Sequence, residues 1–106
     1  MYASMRTYRV RAGSIDDLMH RVDRDFAEAL AQEPGFVAYQ AMDMGSGKIC
    51  AVSVFADREQ ADASNDLAAQ WVADELEEFE IERMGVLGGE VMVSRAAADM
   101  LVPAHH

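Results

Sequence analysis

The sequence predicts an α+β fold of the ferredoxin-like type, with elements in the order β-α-β-β-α-β. Three observations support this prediction. Residues 6–11 alternate in polarity like a strand, the apolar residues of 15–30 recur at helical spacing, and residues 36–55 form two strand-like runs around the turn sequence GSGK. The 106 residues suit a single domain over 1–106. We therefore expect a four-stranded antiparallel sheet with its helices on one face.

The first helix is bounded by clear start and stop signals. Gly13 ends the first strand, and Ser14 with Asp17 three positions later is typical of a helix cap. The helix should end at 33–35, where a proline disfavours helical backbone in the preceding residue and a glycine supplies the turn. Between these limits, one apolar stripe comprises Ile15, Leu18, Met19, Val22, Phe26 and Leu30.

The second half repeats this pattern. Asp57 with Gln60 opens a second helix, which should fray or bend after Ala73, where the acidic residues 75–82 begin. Its apolar stripe comprises Ser64, Leu67, Ala68, Trp71 and Val72. We interpret Gly88-Gly89 as a break and place the last strand after it, at Val91 and Val93. The core should span about 6–95, and the tail 96–106 is either a short helix or a loose arm.

Composition excludes several classes of function. The net charge of −10 disfavours nucleic acid and anionic membrane surfaces as partners, because both require a basic protein surface. A single cysteine, Cys50, excludes an intrachain disulfide and a multi-cysteine metal site. The acidic residues of 75–82 include no histidine and point in different directions on a helix, which favours a solvated face over a metal site. No apolar leader follows the first charges, so we expect a cytoplasmic protein.

The predicted hairpin is apolar on both sides, which suggests a partner for the sheet. In the chain's third strand, Ile49, Ala51 and Phe55 fall on one side, and Val52 and Val54 fall on the other. The helices can cover only one side, and the pattern does not decide which. A homodimer packed through the free sheet face would bury the other side. The alternative is that the tail folds across it.

Three segments resemble the ABM-like family, the small domains related to antibiotic-biosynthesis monooxygenases. They are SNDLAAQWVADEL, the later GGEVMVSR, and PGFVAYQ at the start of the second strand. The resemblance covers about residues 6–95 and implies a dimeric α+β barrel.

The resemblance also implies two kinds of chemistry. One branch of the family oxidises polycyclic phenols to quinones with dioxygen alone, and an Asn and a Trp near the cleft are implicated there. Asn65 and Trp71 are the candidates in this sequence. The other branch degrades haem with an Asn on the first strand and an axial His on the second helix. Here Thr7 or Arg9 would stand at the Asn position and the second helix has no His, so we expect neither haem nor any other cofactor.

The leading hypothesis is a cofactor-independent monooxygenase or related oxidoreductase acting on a small aromatic or quinol-like compound. Asn65 would be catalytic, stabilising an oxyanion or peroxide, and Trp71, Tyr39 and Met42 would bind the substrate. Each also has a purely structural interpretation, as a core, sheet-surface or solvated residue. The functional alternatives are a non-catalytic or stress-associated dimeric module that binds a small apolar molecule, and a module whose only role is pairing.

Overall fold

A computed structural model describes residues 1–97 and confirms the predicted ferredoxin-like α+β fold. One sheet holds four antiparallel strands in the order β2-β3-β1-β4, so β2 and β4 are its edges. The helices cover one face of the sheet, and the core lies between them and the sheet. The strands are β1 (Tyr2–Val10), β2 (Phe36–Gly45), β3 (Lys48–Phe55) and β4 (Ile81–Glu90).

The first helical segment is continuous but not uniformly α-helical. It consists of α1 (Ile15–Arg21), a π-helical turn (Val22–Phe26) and α2 (Ala27–Ala31). Ser14 caps α1 as predicted, since its hydroxyl accepts the backbone N–H of Asp17 at 3.0 Å. The π-helical turn inserts a wider turn into the predicted stripe, and π-bulges are frequent at functional sites.

The second helix, α3 (Arg58–Glu75), begins at its predicted cap. The Asp57 carboxylate accepts the backbone N–H of Gln60 at 2.9 Å. A short 3₁₀ turn, Glu77–Phe79, follows the helix, and Glu80 adopts a left-handed conformation with φ of 48° before the chain enters β4. The acidic segment 75–82 therefore includes the helix end, a turn and the start of a strand.

The predicted last strand is wrong. β4 runs over Ile81–Glu90, and Val91 and Val93 lie beyond its end. The Gly88-Gly89 pair does not break the strand but lies within it, paired with β1. A side chain at Gly88 would come within 2.9 Å of the Tyr2 ring, so the glycine leaves room for that ring.

The structure also decides which side of the hairpin faces the helices. Ile49, Ala51 and Phe55 are buried beneath the helices. An irregularity between Phe36 and Ala38 brings Phe36 to the same side, where its ring packs against Phe55 at 5.8 Å between centroids.

β1 starts earlier than predicted, at Tyr2 rather than residue 6. The tail prediction for 96–106 falls almost entirely outside the described residues. No helix within residues 1–97 has the length and apolar character needed to cross a membrane.

The opposite face of the sheet has no covering element within residues 1–97. Met5, Met42 and Leu87 are exposed by 38%, 47% and 67% on or beside this face. We call it the open face; its apolar residues on paired strands are Ala3, Met5, Ala38, Met42, Cys50, Val52, Val54 and Leu87. Thr7, Arg9 and Gln40 interrupt it.

Candidate functional site

The candidate site lies on the covered face of the sheet and centres on β1. Along the middle of this strand, every second residue points beneath the helices and is buried: Ser4, Arg6 and Tyr8. Arg6 is fully buried, with no exposed surface. A guanidinium stays protonated at any physiological pH, so the middle of β1 places a permanent positive charge inside the domain.

Arg6 is held by neutral partners from β3 and α3. Its Nη1 donates to Oδ1 of Asn65 at 2.8 Å, and its Nη2 donates to Oγ of Ser53 at 2.9 Å. The Ser4 hydroxyl donates to the same Asn65 oxygen at 2.7 Å. Because arginine has no acceptor, these bonds fix the orientation of the Asn65 amide, with Oδ1 toward Arg6.

The hydrogen bonding of Arg6 is incomplete. Its Nε is buried and has no hydrogen-bond partner among the described residues. Within residues 1–97, no carboxylate oxygen lies within the 4.0 Å ion-pair distance of the guanidinium. Buried charges in proteins are normally paired, because removing an ion from water is costly. Arg6 is thus a desolvated cation without an anion on the described part of the chain.

An aromatic cluster adjoins Arg6. The Phe26 ring contacts Tyr39 edge-on at 5.6 Å and Trp71 at 5.2 Å between centroids. Burial raises the pKa of Tyr39 to about 12, with the nearby charge of Arg6 opposing the shift. Tyr39 therefore remains a neutral phenol near pH 7 and does not supply the missing negative charge.

A small cavity of about 30 Å³ lies between the helices and the sheet. Arg6 is the one charged side chain that lines it within residues 1–97, and Tyr8 and Tyr39 are the titratable neighbours on its wall. The remaining lining side chains are apolar and include Leu18, Met19, Val22, Phe26, Ala68, Trp71 and Val72. We refer to this space and its lining as the cleft.

The structure brings together only part of the predicted site. Trp71 and Tyr39 both line the cleft. Asn65 does not line it but contacts Arg6, which does. Met42 lies on the open face, paired with Cys50, so it is separated from the cleft by the sheet.

Sequence reasoning missed Arg6. Thr7 and Arg9 were the first-strand residues considered for the Asn position of the haem-degrading branch, and both lie on the open-face side of β1. A signal was available, because Arg6 lies an even number of positions from Tyr8 and Val10 and therefore points to the same side of the strand as these two apolar residues. A charged residue in an otherwise apolar set indicates a buried polar site.

Comparisons with known proteins agree with this architecture. The family model described as antibiotic biosynthesis monooxygenase matches residues 1–78, which include β1, β2, β3 and α3. The chain belongs to this family. No curated protein matched the sequence.

Solved structures of similar fold cover nearly the whole domain. HapK from Hahella chejuensis is 19% identical, with a TM-score of 0.68 over 92% of this chain and 99% of that one. A dimeric ferredoxin-like protein from an uncultured marine organism is 11% identical, with a TM-score of 0.65 over 91% and 98%. SnoaB from Streptomyces nogalater, a cofactor-independent oxygenase, is 14% identical, with a TM-score of 0.60 over 92% and 96%. At these identities the likeness concerns the fold.

Proposed function

We propose that this member of the antibiotic biosynthesis monooxygenase family is a cofactor-independent monooxygenase acting on a small aromatic or quinol-like compound in the cleft. The observation that carries the proposal is the composition of the cleft: apolar and aromatic walls around one buried, unpaired cation. Flat apolar ligands with a single polar handle suit such sites. The family and the cofactor-independent oxygenase of the same fold support this choice.

The proposed chemistry needs a substrate that can itself reduce dioxygen. An anthrone-like compound loses one proton from its ring methylene to give an anion whose charge is shared between carbon and oxygen. The carbanion carbon forms a bond to dioxygen, and protonation by water gives a hydroperoxide. Loss of the remaining methylene proton then breaks the O–O bond, leaving a quinone carbonyl and releasing water. The substrate supplies all four electrons.

In this scheme, the protein acts mainly through electrostatics. A fixed positive charge in a site of low dielectric stabilises the anion that forms before dioxygen reacts. Asn65, predicted as a catalytic amide, is proposed instead to position Arg6, because its Oδ1 already accepts from that side chain and from Ser4. Trp71 and Tyr39 are proposed to form the walls that contact the substrate rings.

Entry of a substrate requires the cleft to open. An engineered cavity that holds benzene measures about 150 Å³, whereas this cleft offers about 30 Å³. Met19, Trp71 and Val72 are the partly buried residues that the helices contribute to the cleft lining, so we take them as its outer wall. We propose that rotation of these side chains admits the ligand, the unbranched Met19 being the most adaptable of the three.

We also propose that the protein is a homodimer whose subunits pack through the open face. Without a partner, its large apolar side chains Met5, Met42 and Leu87 would remain exposed together on one face, although Thr7, Arg9 and Gln40 interrupt it, and monomeric proteins seldom expose large apolar patches. The ferredoxin-like protein of the same fold that is described as dimeric supports pairing, and the choice of the open face rests on its exposed apolar residues. Met42, expected to bind substrate, would then be an interface residue.

Dioxygen uptake tests the proposed activity. Protein treated with a chelator and free of added flavin is supplied in separate runs with anthrone and with a single-ring quinol in an oxygen electrode, and quinone formation is followed in parallel. The proposal predicts uptake above the spontaneous rate, with one quinone formed per dioxygen, and about a 10- to 1,000-fold lower rate in Asn65→Ala if that residue orients Arg6. If the protein does not accelerate dioxygen uptake with either anthrone or the quinol, the proposal is wrong. Thermal stabilisation by these compounds without turnover would support the non-catalytic binding module instead.

A further inference from the structure

We propose that Arg6 makes the cleft an anion-binding site, selective for flat phenols or enols bound as monoanions with the ionised oxygen on the guanidinium. The inference names the ligand class of the cleft and rests on the proposed function only for the location of the site. It does not require that the ligand be oxidised.

The first support is that Arg6 lacks both a counter-charge and an acceptor for one of its donors on the described chain. The side chain is fully buried, yet Nη1 and Nη2 donate only to neutral oxygens, and Nε has no acceptor among the described residues. A charge kept in this state costs stability, and replacement of buried ionic groups by apolar ones is often neutral or stabilising. A structural role alone would not need the charge, whereas an anionic ligand would pair with it.

The second support is the absence of an internal competitor on the described chain. Apart from Arg6, the titratable groups lining the cleft within residues 1–97 are the phenols of Tyr8 and Tyr39. Tyr39 remains protonated because burial opposes its ionisation. None of the acidic side chains within residues 1–97 lines the cleft, so nothing on the described cleft wall neutralises Arg6.

The third support is the shape of the lining. Phe26, Tyr39 and Trp71 form a connected aromatic group next to Arg6. Such walls favour a planar ring, and a single guanidinium satisfies one anionic oxygen or one planar carboxylate-like pair. A dianion would leave its second charge unpaired in an apolar site.

The size of the cleft constrains the ligand further. Because only about 30 Å³ is free before the outer wall moves, one ring should enter more readily than a fused system of several rings. We therefore choose a single-ring phenol as the probe.

The test compares para-nitrophenol with para-nitroanisole, which has the same ring but carries a methylated oxygen that cannot ionise. Equilibrium dialysis measures both affinities across the pKa of free para-nitrophenol, and absorbance reports the ionisation of the bound probe. Since the nitrophenol is not oxidised here, this result is independent of oxygen uptake. If the protein accelerates dioxygen uptake but does not prefer the phenolate, only the anion-site inference is wrong. If it prefers the phenolate but does not accelerate uptake, only the proposed oxygenase activity is wrong.

The inference predicts that the phenolate binds at least about tenfold more tightly than the anisole, and that the bound probe has a pKa at least about one unit below that of the free probe. Arg6→Gln should abolish both effects. Arg24→Gln, which removes an exposed charge on the π-helical turn, should retain both.

Equal affinity for the two probes above the pKa of the phenol would overturn the inference. So would an unchanged or raised pKa of the bound probe. If Arg6→Gln fails to fold, the comparison of the two probes on the unaltered protein is decisive by itself.

Discussion

Arg6 Nη1 donates to Asn65 Oδ1 over 2.8 Å, and this bond ties the central strand β1 to α3 beside the cleft. The pair spans 59 positions of sequence. Asn65 was predicted as a site residue from the sequence, whereas Arg6 was not. The two should therefore be energetically coupled.

A double-mutant cycle measures that coupling. Asn65→Ala removes an acceptor from a buried charge and should lower the free energy of unfolding by about 1–3 kcal/mol. Arg6→Met should be neutral or stabilising, because it removes an incompletely paired ion. In the Arg6→Met background, Asn65→Ala should cost clearly less, as judged by urea unfolding. Equal costs in both backgrounds would show that the hydrogen bond carries no coupling.

Tyr39 provides a test at high pH. Its pKa is raised to about 12 in the folded protein, above the unperturbed value near 10. The folded state thus holds this proton longer than the unfolded state, so the contribution of Tyr39 to stability is fully present below pH ~10 and lost as pH rises toward ~12. The difference between the ultraviolet titrations of the parent protein and Tyr39→Phe should show a midpoint near 12. A midpoint near 10 would place the phenol in solvent.

Filling the cleft should exclude ligand. Ala68 lines the cleft and is buried, whereas the neighbouring Ala69 is exposed. Ala68→Val adds two methyl-sized groups to a space of about 30 Å³ and should weaken para-nitrophenol binding by about tenfold or more. Ala69→Val carries the same helix-propensity cost and should bind normally. Equal affinities in dialysis would indicate that the ligand binds elsewhere.

Charge on the open face should disrupt the proposed dimer. Met42→Lys places two ammonium groups in a two-fold interface and should weaken association about 100-fold or more. Sedimentation equilibrium should give twice the monomer mass for the parent protein and the monomer mass for the variant. Ala29→Lys, on the exposed side of α2, is the matched control and should remain dimeric. A monomeric parent protein at micromolar concentration would contradict the proposal.

The sequence allowed the fold to be predicted where local signals were strong. The Ser14 and Asp57 caps, the helical stripes and the hairpin around 45–48 each depend on neighbouring residues, and the structure confirms them. β4 was misplaced because its glycines resemble a break when considered alone. The role of Gly88 depends on the Tyr2 ring of a partner strand more than 80 residues away in sequence.

The site was harder to predict than the fold for a related reason. Trp71, suggested by the family resemblance, and Tyr39, suggested by its place in the hairpin, both line the cleft, and their contact with a substrate stays a prediction. Arg6 has the same residue type as the solvated arginines of the chain, and only its strand parity and three-dimensional neighbours distinguish it. Met42 was misplaced because alternation does not say which side of a sheet the helices cover.

A crystal structure of the protein soaked with para-nitrophenol above the pKa of the phenol tests the central claim most directly. The account predicts the ring between Trp71 and Tyr39, the outer wall displaced, and the phenolate oxygen within hydrogen-bond distance of Arg6 Nε. A ring bound in the cleft with its oxygen turned away from Arg6, or bound only outside the cleft, would contradict it.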